Sequence, residues 1–161
     1  MPVLSGRLTG CLVFVLGLDP PTGSRGRLVR RSRDEDYIIN LCDKVLRRQA
    51  RRQHRFEFLR GDTGVRLPCD AFYPTLGLVV EYRELQHTEG VLLWDSRTTV
   101  SGITRREQRA RYDQRRREIL PLHGITLVEL NFSEFGHGSN KRLLRIPDDV
   151  STVRSKLIEF L

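Results

Sequence analysis

The first clear pattern along the chain is a set of apolar residues at helical spacing between residues 33 and 49. These apolar positions are Tyr37, Ile38, Leu41, Cys42, Val45 and Leu46. Ser32 and Glu35 precede them with the spacing of a capping box, in which each side chain satisfies a free backbone group of the first turn. The pattern therefore predicts a helix over 33–49.

Two segments of alternating apolar and polar residues follow, over 54–59 and 65–72, and a third segment over 77–83 begins with a buried apolar run. A Gly-rich stretch separates the first two segments. Pro74 marks a tight turn between the second and the third, because proline presets φ for the second position of a turn. The pattern predicts three consecutive strands, and the last of them passes from a buried run directly into the charged residue Glu81.

The remaining pattern predicts a helix, a strand and a final helix. Thr104 and Glu107 form a second capping box, which begins a strongly basic helix predicted over 105–120. Residues 125–130 have the pattern of a fourth strand, and residues from Val150 onward place apolar side chains on one helical face. The order helix, three strands, helix, strand, helix predicts a single α/β domain over 34–161.

Residues 1–33 differ in composition from this domain. Residues 8–18 are apolar but lack a signal-peptide cleavage site, and we expect an extra N-terminal strand there. A start codon assigned too early is the alternative. Residues 19–33 are rich in Pro, Gly, Ser and Arg, which is typical of a linker or a basic arm.

Composition narrows the range of partners. The net charge is +8, and only three of the 28 basic residues are lysines. Arginine binds phosphate oxygens in a bidentate manner and so favours nucleic acid as a partner, although a GC-rich genome would produce the same bias. The three cysteines lack metal-site spacing and indicate a reducing compartment, so we expect a cytoplasmic protein. No apolar run reaches the ~20 residues of a membrane span.

Two carboxylates are predicted to face each other across the second turn. If the hairpin is symmetric about residues 75 and 76, Asp70 lies opposite Glu81, with Cβ atoms about 4.5–5.5 Å apart. Such a pair repels unless a cation intervenes, and Mg²⁺ binds through one or two carboxylates plus water and phosphate. Arg83 is placed to hold a phosphate oxygen. The alternative is a solvated strand end in which Asp70 pairs with Arg83.

The stretch DAFYPTLGLVVEYRELQH, residues 70–87, resembles the signature of PD-(D/E)xK nucleases. The likeness is closer to very-short-patch repair endonucleases and related restriction-endonuclease-like domains, where a histidine also follows the glutamate by six residues. The resemblance covers about residues 34–135. It implies a restriction-endonuclease-like αβββαβ core with a mixed sheet flanked by helices.

The resemblance also implies roles for individual residues. Asp70 and Glu81 would hold Mg²⁺, for which Mn²⁺ could substitute, with the Tyr82 carbonyl as a further ligand. His87 would orient or deprotonate the attacking water, or protonate the leaving oxygen, unless it is a structural histidine. Glu35 matches an acidic residue that such folds direct at the site, unless it serves only as a helix cap.

Arg83 occupies the position of the signature lysine. A guanidinium stays protonated and cannot act as a base, although it can stabilise the charge of the reacting phosphate. The base would then be His87 or a water on the metal. A degenerate nuclease fold that binds nucleic acid without cutting it is therefore an alternative.

The basic helix predicts where the polyanion lies. Arg105, Arg109 and Arg116 share roughly one face, and Arg115 flanks them, so this face is expected to follow a DNA backbone. A solvated face with internal ion pairs is the alternative.

The sequence thus predicts a Mg²⁺-dependent endonuclease of repair or restriction type. An RNA-associated domain of unrelated fold is expected only if Asp70 and Glu81 are not adjacent, and a homodimer is left open.

Overall fold

The computed structural model describes residues 33–84 and 102–161. The helices in these ranges are α1 (Arg33–Leu46), α2 (Arg105–Leu122) and α3 (Asp148–Lys156). The strands are β1 (Arg51–Arg60), β2 (Arg66–Tyr73), β3 (Leu78–Arg83) and β4 (Thr126–Asn131). The predicted N-terminal strand and most of the predicted arm lie outside these residues. None of the helices described is long and apolar enough to span a bilayer.

The four strands form one mixed sheet in the order β1-β2-β3-β4. β2 pairs antiparallel with both β1 and β3, whereas β3 and β4 are parallel. Parallel neighbours need a long crossover, and the connection from β3 to β4 contains α2. The predicted α/β class is therefore confirmed. The first helix ends three residues earlier than predicted, where Arg47 adopts a left-handed φ of 52°.

The core is divided by the sheet into two apolar clusters. Residues Leu78, Val80 and Tyr82 of β3 pack with α1 and α3, whereas Val79 packs with Leu120 of α2. This division follows from the strand itself, because successive side chains point to opposite faces. Helices therefore cover both faces of the sheet.

The turn between β2 and β3 sets the register of the hairpin. Pro74 begins a single 3₁₀ turn, and Gly77 ends it in the left-handed region at φ 57°. A Cβ at Gly77 would also lie 3.2 Å from the carbonyl oxygen of Gly124. Glycine is therefore required by both backbone conformation and space.

A buried polar cluster joins α1 to α3. Asp149 accepts hydrogen bonds from the Tyr37 hydroxyl at 2.8 Å and from the backbone N–H of Ile146 at 3.1 Å. Asp34, in the first turn of α1, lies 3.4 Å from Arg142 and 3.3 Å from Arg145. We call Asp34 and Asp149, with these partners, the α1–α3 cluster.

Candidate active site

The hairpin register brings Asp70 and Glu81 together. Ala71 is opposite Val80, and Phe72 is opposite Val79, so the next pair along the strands is Asp70 and Glu81. This is the arrangement that a symmetric turn predicts. The pair lies in the middle of the sheet, since β2 and β3 are both internal strands.

Carboxylate oxygens take part in the β2–β3 hydrogen bonding at this point. The backbone N–H of Asp70 donates to Oε1 of Glu81 at 3.1 Å, and the backbone N–H of Tyr82 donates to Oδ2 of Asp70 at 3.0 Å. In a regular antiparallel ladder, main-chain carbonyls would accept such bonds. We call this place, defined by Asp70 and Glu81, the carboxylate gap.

Tyr82, whose carbonyl is a predicted further ligand, lies next to the gap. Its backbone N–H donates to Oδ2 of Asp70 at 3.0 Å. The structure therefore brings two carboxylates together and places the main chain of Tyr82 beside them.

Gln53 connects the gap to α1. Its Nε2 donates to Oε1 of Glu35 at 2.9 Å and to Oδ1 of Asp70 at 3.2 Å. Gln53 is held at φ 50°, in the left-handed region that is unfavourable for a non-glycine residue. Glu35 thus reaches Asp70 through one side chain. Its predicted cap partner, Ser32, lies outside the described residues.

Arg116 of α2 brings a positive charge to Glu81. Its Nη2 donates to the Pro68 carbonyl at 2.8 Å and its Nη1 to Asp113 at 3.1 Å, while its Nε lies 3.6 Å from Oε1 of Glu81. This Nε is buried and makes no hydrogen bond within the described structure. The Arg116 side chain is only 12% exposed. It therefore lies beside the gap, whereas the sequence analysis placed it on a face directed at DNA.

The reason lies in the helix face that α2 turns toward the sheet. Residues at the spacing of Arg109, Tyr112, Arg116 and Leu120 share one side of a helix. Leu120 is fully buried, and Tyr112 packs against the same cluster. The face of α2 that was predicted to follow DNA is thus largely the face that packs on the sheet.

Burial and charge repulsion both act on Glu81. Burial raises the pKa of Glu81 to about 8, and the carboxylate of Asp70 contributes to the increase. The Arg116 guanidinium and the hydrogen bond from the Asp70 backbone oppose it. At Glu81, the described groups therefore compensate the negative charge only in part.

Arg83 points away from this gap, toward α2 and β4. Its Nε donates to Oε1 of Glu129 at 2.9 Å, and its Nη1 donates to Asp113 at 2.8 Å. Its side chain is 17% exposed. The predicted alternative, a pair between Arg83 and Asp70, is replaced by these two contacts. Asp113 contacts both arginines and so links Arg83 to Arg116.

The other predicted site residues are dispersed. Arg105 is exposed at the start of α2 and Arg109 is half-buried. Arg115 donates to the Arg60 carbonyl at 2.7 Å and lies 3.6 Å from Asp62. His87 lies outside the described residues. Gln53 was missed by sequence reasoning, and its only signal is an amide within an alternating strand.

The donor set of the gap suits a hard divalent cation. Residues 33–84 and 102–161 contain no group of three or more His, Cys, Asp or Glu side chains arranged to hold a metal. Mg²⁺ does not need such a group, because it binds through one or two carboxylates and completes its shell with water and phosphate. Asp70 and Glu81 meet that requirement.

Comparison with known proteins adds no relative. No protein-family model, no curated protein and no solved structure matches the chain. The resemblance to PD-(D/E)xK nucleases therefore rests on residues 70–87 and on the order of helices and strands.

Proposed function

We propose that the protein is a Mg²⁺-dependent endonuclease that hydrolyses DNA phosphodiester bonds, of the repair or restriction type. The observation that carries the proposal is the carboxylate gap. Two acidic side chains stand in place of ladder acceptors between internal strands, where burial and the charge of Asp70 keep the pKa of Glu81 raised despite the Arg116 guanidinium beside it. If positions 70 and 81 only stabilised the fold, a pair of apolar side chains would stabilise it better than two carboxylates.

Asp70, Glu81 and the Tyr82 carbonyl would hold the Mg²⁺. When bound, Mg²⁺ supplies Lewis-acid activation of the scissile phosphate and lowers the pKa of an attacking water. The chain itself orients the ligands: Gln53 fixes one oxygen of Asp70, and the backbone of Tyr82 fixes the other. This arrangement keeps the Asp70 carboxylate in one orientation before substrate binds.

In this proposal the base that removes the proton is His87 or a water on the metal. Arg83 keeps its proton and is held by Glu129 and Asp113, so it neither accepts a proton nor reaches Asp70. Arg116 offsets part of the negative charge at Glu81 from inside the domain. The positive charge near the gap thus comes from α2, and not from the position of the signature lysine.

The test is a plasmid-nicking assay with Mg²⁺ or Mn²⁺. Asp70→Asn and Glu81→Gln keep the side-chain size and remove one ligand charge each. We expect each to reduce nicking by about 1000-fold, equivalent to roughly 4 kcal/mol of transition-state stabilisation. Asp148→Asn, an exposed position on α3, is the matched control and should retain wild-type activity. Nicking that persists in both gap variants would exclude the assigned site.

A second candidate function is nucleic-acid binding without cleavage. The observation that favours it is the engagement of Arg83 by two carboxylates, together with an internal arginine already placed beside Glu81. It predicts salt-dependent DNA binding, no nicking of any plasmid form, and a melting temperature that Mg²⁺ leaves unchanged. A rise in melting temperature that requires both Mg²⁺ and Glu81 would argue against it.

A further inference from the structure

A group of exposed arginines lies where α1 meets β1. From residue 44 to residue 56 the chain has six basic residues and no acidic one. Arg47, Arg48 and Arg51 are all exposed in this segment. No carboxylate among residues 33–84 and 102–161 forms an ion pair with these three arginines. We call Arg47, Arg48 and Arg51 the basic corner.

The basic corner is built on a fixed backbone. Asp43 accepts from the backbone N–H of Ala50 at 3.1 Å, from Arg52 at 2.6 Å and from the Tyr73 hydroxyl at 2.8 Å. These contacts tie the end of α1 to the start of β1 and to β2. Arg47 keeps a left-handed φ of 52°, an unusual conformation for a non-glycine residue. The arginines therefore project from an ordered turn, which reduces the entropy lost on binding a ligand.

The basic corner adjoins the carboxylate gap. Arg51 and Gln53 are two residues apart on β1, which corresponds to about 6.6 Å along a strand. Gln53 in turn contacts both Glu35 and Asp70. A polyanion that reaches Gln53 is thus within the length of an arginine side chain of Arg51.

The simplest alternative is that these cations only complement the negative end of the α1 dipole. That effect is confined to the last turn of a helix and accounts for Arg47 and Arg48. It does not account for Arg51, which lies in a strand and is also exposed. On α2, Arg115 and Arg116 donate to backbone carbonyls and Arg117 donates to Glu129. Arg106 and Arg111 of α2 are exposed and have no ion pair within the described structure, so they serve as the comparison for the corner.

We propose that the basic corner binds the phosphate backbone of duplex DNA beside the scissile phosphate. This inference rests on the proposed function, since it assigns the binding surface of that same site. Each guanidinium presents a planar fork that matches phosphate oxygens in a bidentate manner. The interaction is with the backbone, so it is independent of base sequence and sensitive to salt.

The experiment compares two triple variants that remove the same charge. Arg47→Gln, Arg48→Gln and Arg51→Gln are combined in one protein. Its control removes three exposed arginines of α2 and α3 that have no ion pair within the described structure, Arg106, Arg111 and Arg154. Binding of a fluorescent DNA duplex is followed by anisotropy in EDTA over a salt series, so that cleavage plays no part. Unfolding curves establish that both variants are folded.

For the corner variant we expect binding weakened by at least about tenfold and the salt slope reduced by about 2 to 3, since each phosphate contact contributes about 0.9. The control variant at Arg106, Arg111 and Arg154 should change the salt slope by less than half as much as the corner variant does. Equal effects in the two variants would overturn the proposal, as would tighter binding of the wild type to duplex RNA or anionic vesicles than to DNA.

The outcome is separate from that of the nuclease assay. A wild type that binds through the corner but never nicks DNA would contradict the proposed function and support this inference. If the wild type nicks DNA and the corner variant binds duplex as tightly as the wild type, this inference is wrong and the proposed function is supported. If the wild type fails to bind duplex at low salt, the inference is wrong whatever the nicking result.

Discussion

Asp34 and Glu35 are neighbours in the first turn of α1, yet they belong to two different acidic clusters. Asp34 lies beside Arg142 and Arg145, and Asp149 completes that α1–α3 cluster with its hydrogen bonds from Tyr37 and Ile146. Glu35 turns toward Gln53 and, through it, toward the carboxylate gap. Both clusters remove carboxylates from water, but they are stabilised by different groups.

The α1–α3 cluster supplies its own compensation. Its acids receive two arginines, a tyrosine hydroxyl and a backbone N–H, and it ties the C-terminal segment to the first helix. In the gap, the donors described are two backbone N–H groups of the sheet and the Gln53 amide, and the Arg116 guanidinium makes no hydrogen bond to Glu81. The α1–α3 cluster therefore stabilises the fold, whereas the carboxylate gap lowers the stability of the fold.

The largest expected effect is the pH dependence that Glu81 imposes on stability. In the folded protein its pKa is about 8, against a reference value of 4.5. Between these values the folded chain holds one proton more than the unfolded chain, so the free energy of unfolding falls as pH rises. The fall is about 1.4 kcal/mol per pH unit, or roughly 4 kcal/mol across the interval.

Glu81→Gln should remove this dependence. We expect the variant to match the wild type near pH 4.5 and to be more stable by roughly 4 kcal/mol near pH 8. Urea unfolding of both proteins in metal-free buffer at a series of pH values measures the difference. Curves that stay parallel across the series would mean that the glutamate is not destabilised in the gap.

Substitution in the α1–α3 cluster should have the opposite sign. Asp149→Ala leaves the Tyr37 hydroxyl and the Ile146 N–H without their acceptor in a site that is only 2% exposed. We expect a loss of about 3 kcal/mol, because each unsatisfied buried donor costs about 1–3 kcal/mol. The adjacent, exposed Asp148→Ala should change stability by less than about 0.5 kcal/mol. If Asp149→Ala and Asp148→Ala lowered the free energy of unfolding by similar amounts, the α1–α3 cluster would not be a stabilising cluster.

Substitution of Arg116 measures how far this arginine offsets the negative charge of Glu81 in the gap. Arg116→Met preserves much of the side-chain volume but removes the donors to Pro68 and Asp113 and the charge near Glu81. We expect a loss of about 2 kcal/mol at pH 8 and a smaller loss at pH 5, where Glu81 is protonated in the folded protein. Chemical denaturation at the two pH values measures it.

Arg115→Met provides the comparison for this arginine. Its side chain is 39% exposed, and it lies 3.6 Å from Asp62. Exposed ion pairs contribute about 0–1 kcal/mol, and we expect a loss within that range that is the same at both pH values. A pH-independent loss for Arg116→Met as well would show that its charge does not act on Glu81.

Local sequence signals determine part of this site. Pro74 and Gly77 fix the turn, and a fixed turn fixes the register that places Asp70 opposite Glu81, so this pair was predictable. The contacts of Arg83 were not, because Asp113 and Glu129 lie 30 and 46 residues away in the chain. A helix with seven arginines also gives little indication of which face packs on a sheet.

The smallest expected effect on stability concerns the backbone conformation at Gln53. Its left-handed φ of 50° is not encoded by any turn motif and is held by contacts of the folded site. Gln53→Ala and Gln53→Gly both remove the amide, so the difference between them isolates the backbone. In an ordinary strand alanine would be the better residue, because glycine loses more entropy on folding.

Here we expect the glycine variant to be more stable than the alanine variant by about 1 kcal/mol, because a left-handed conformation costs a residue with a Cβ about 1–2 kcal/mol. Thermal unfolding of the two variants in parallel measures the difference. If alanine proves the more stable, then β1 relaxes to an ordinary strand conformation once the amide is gone. In that case the contacts of Gln53 with Glu35 and Asp70 impose the strain, and the strain is a property of the assembled gap and not of the sheet.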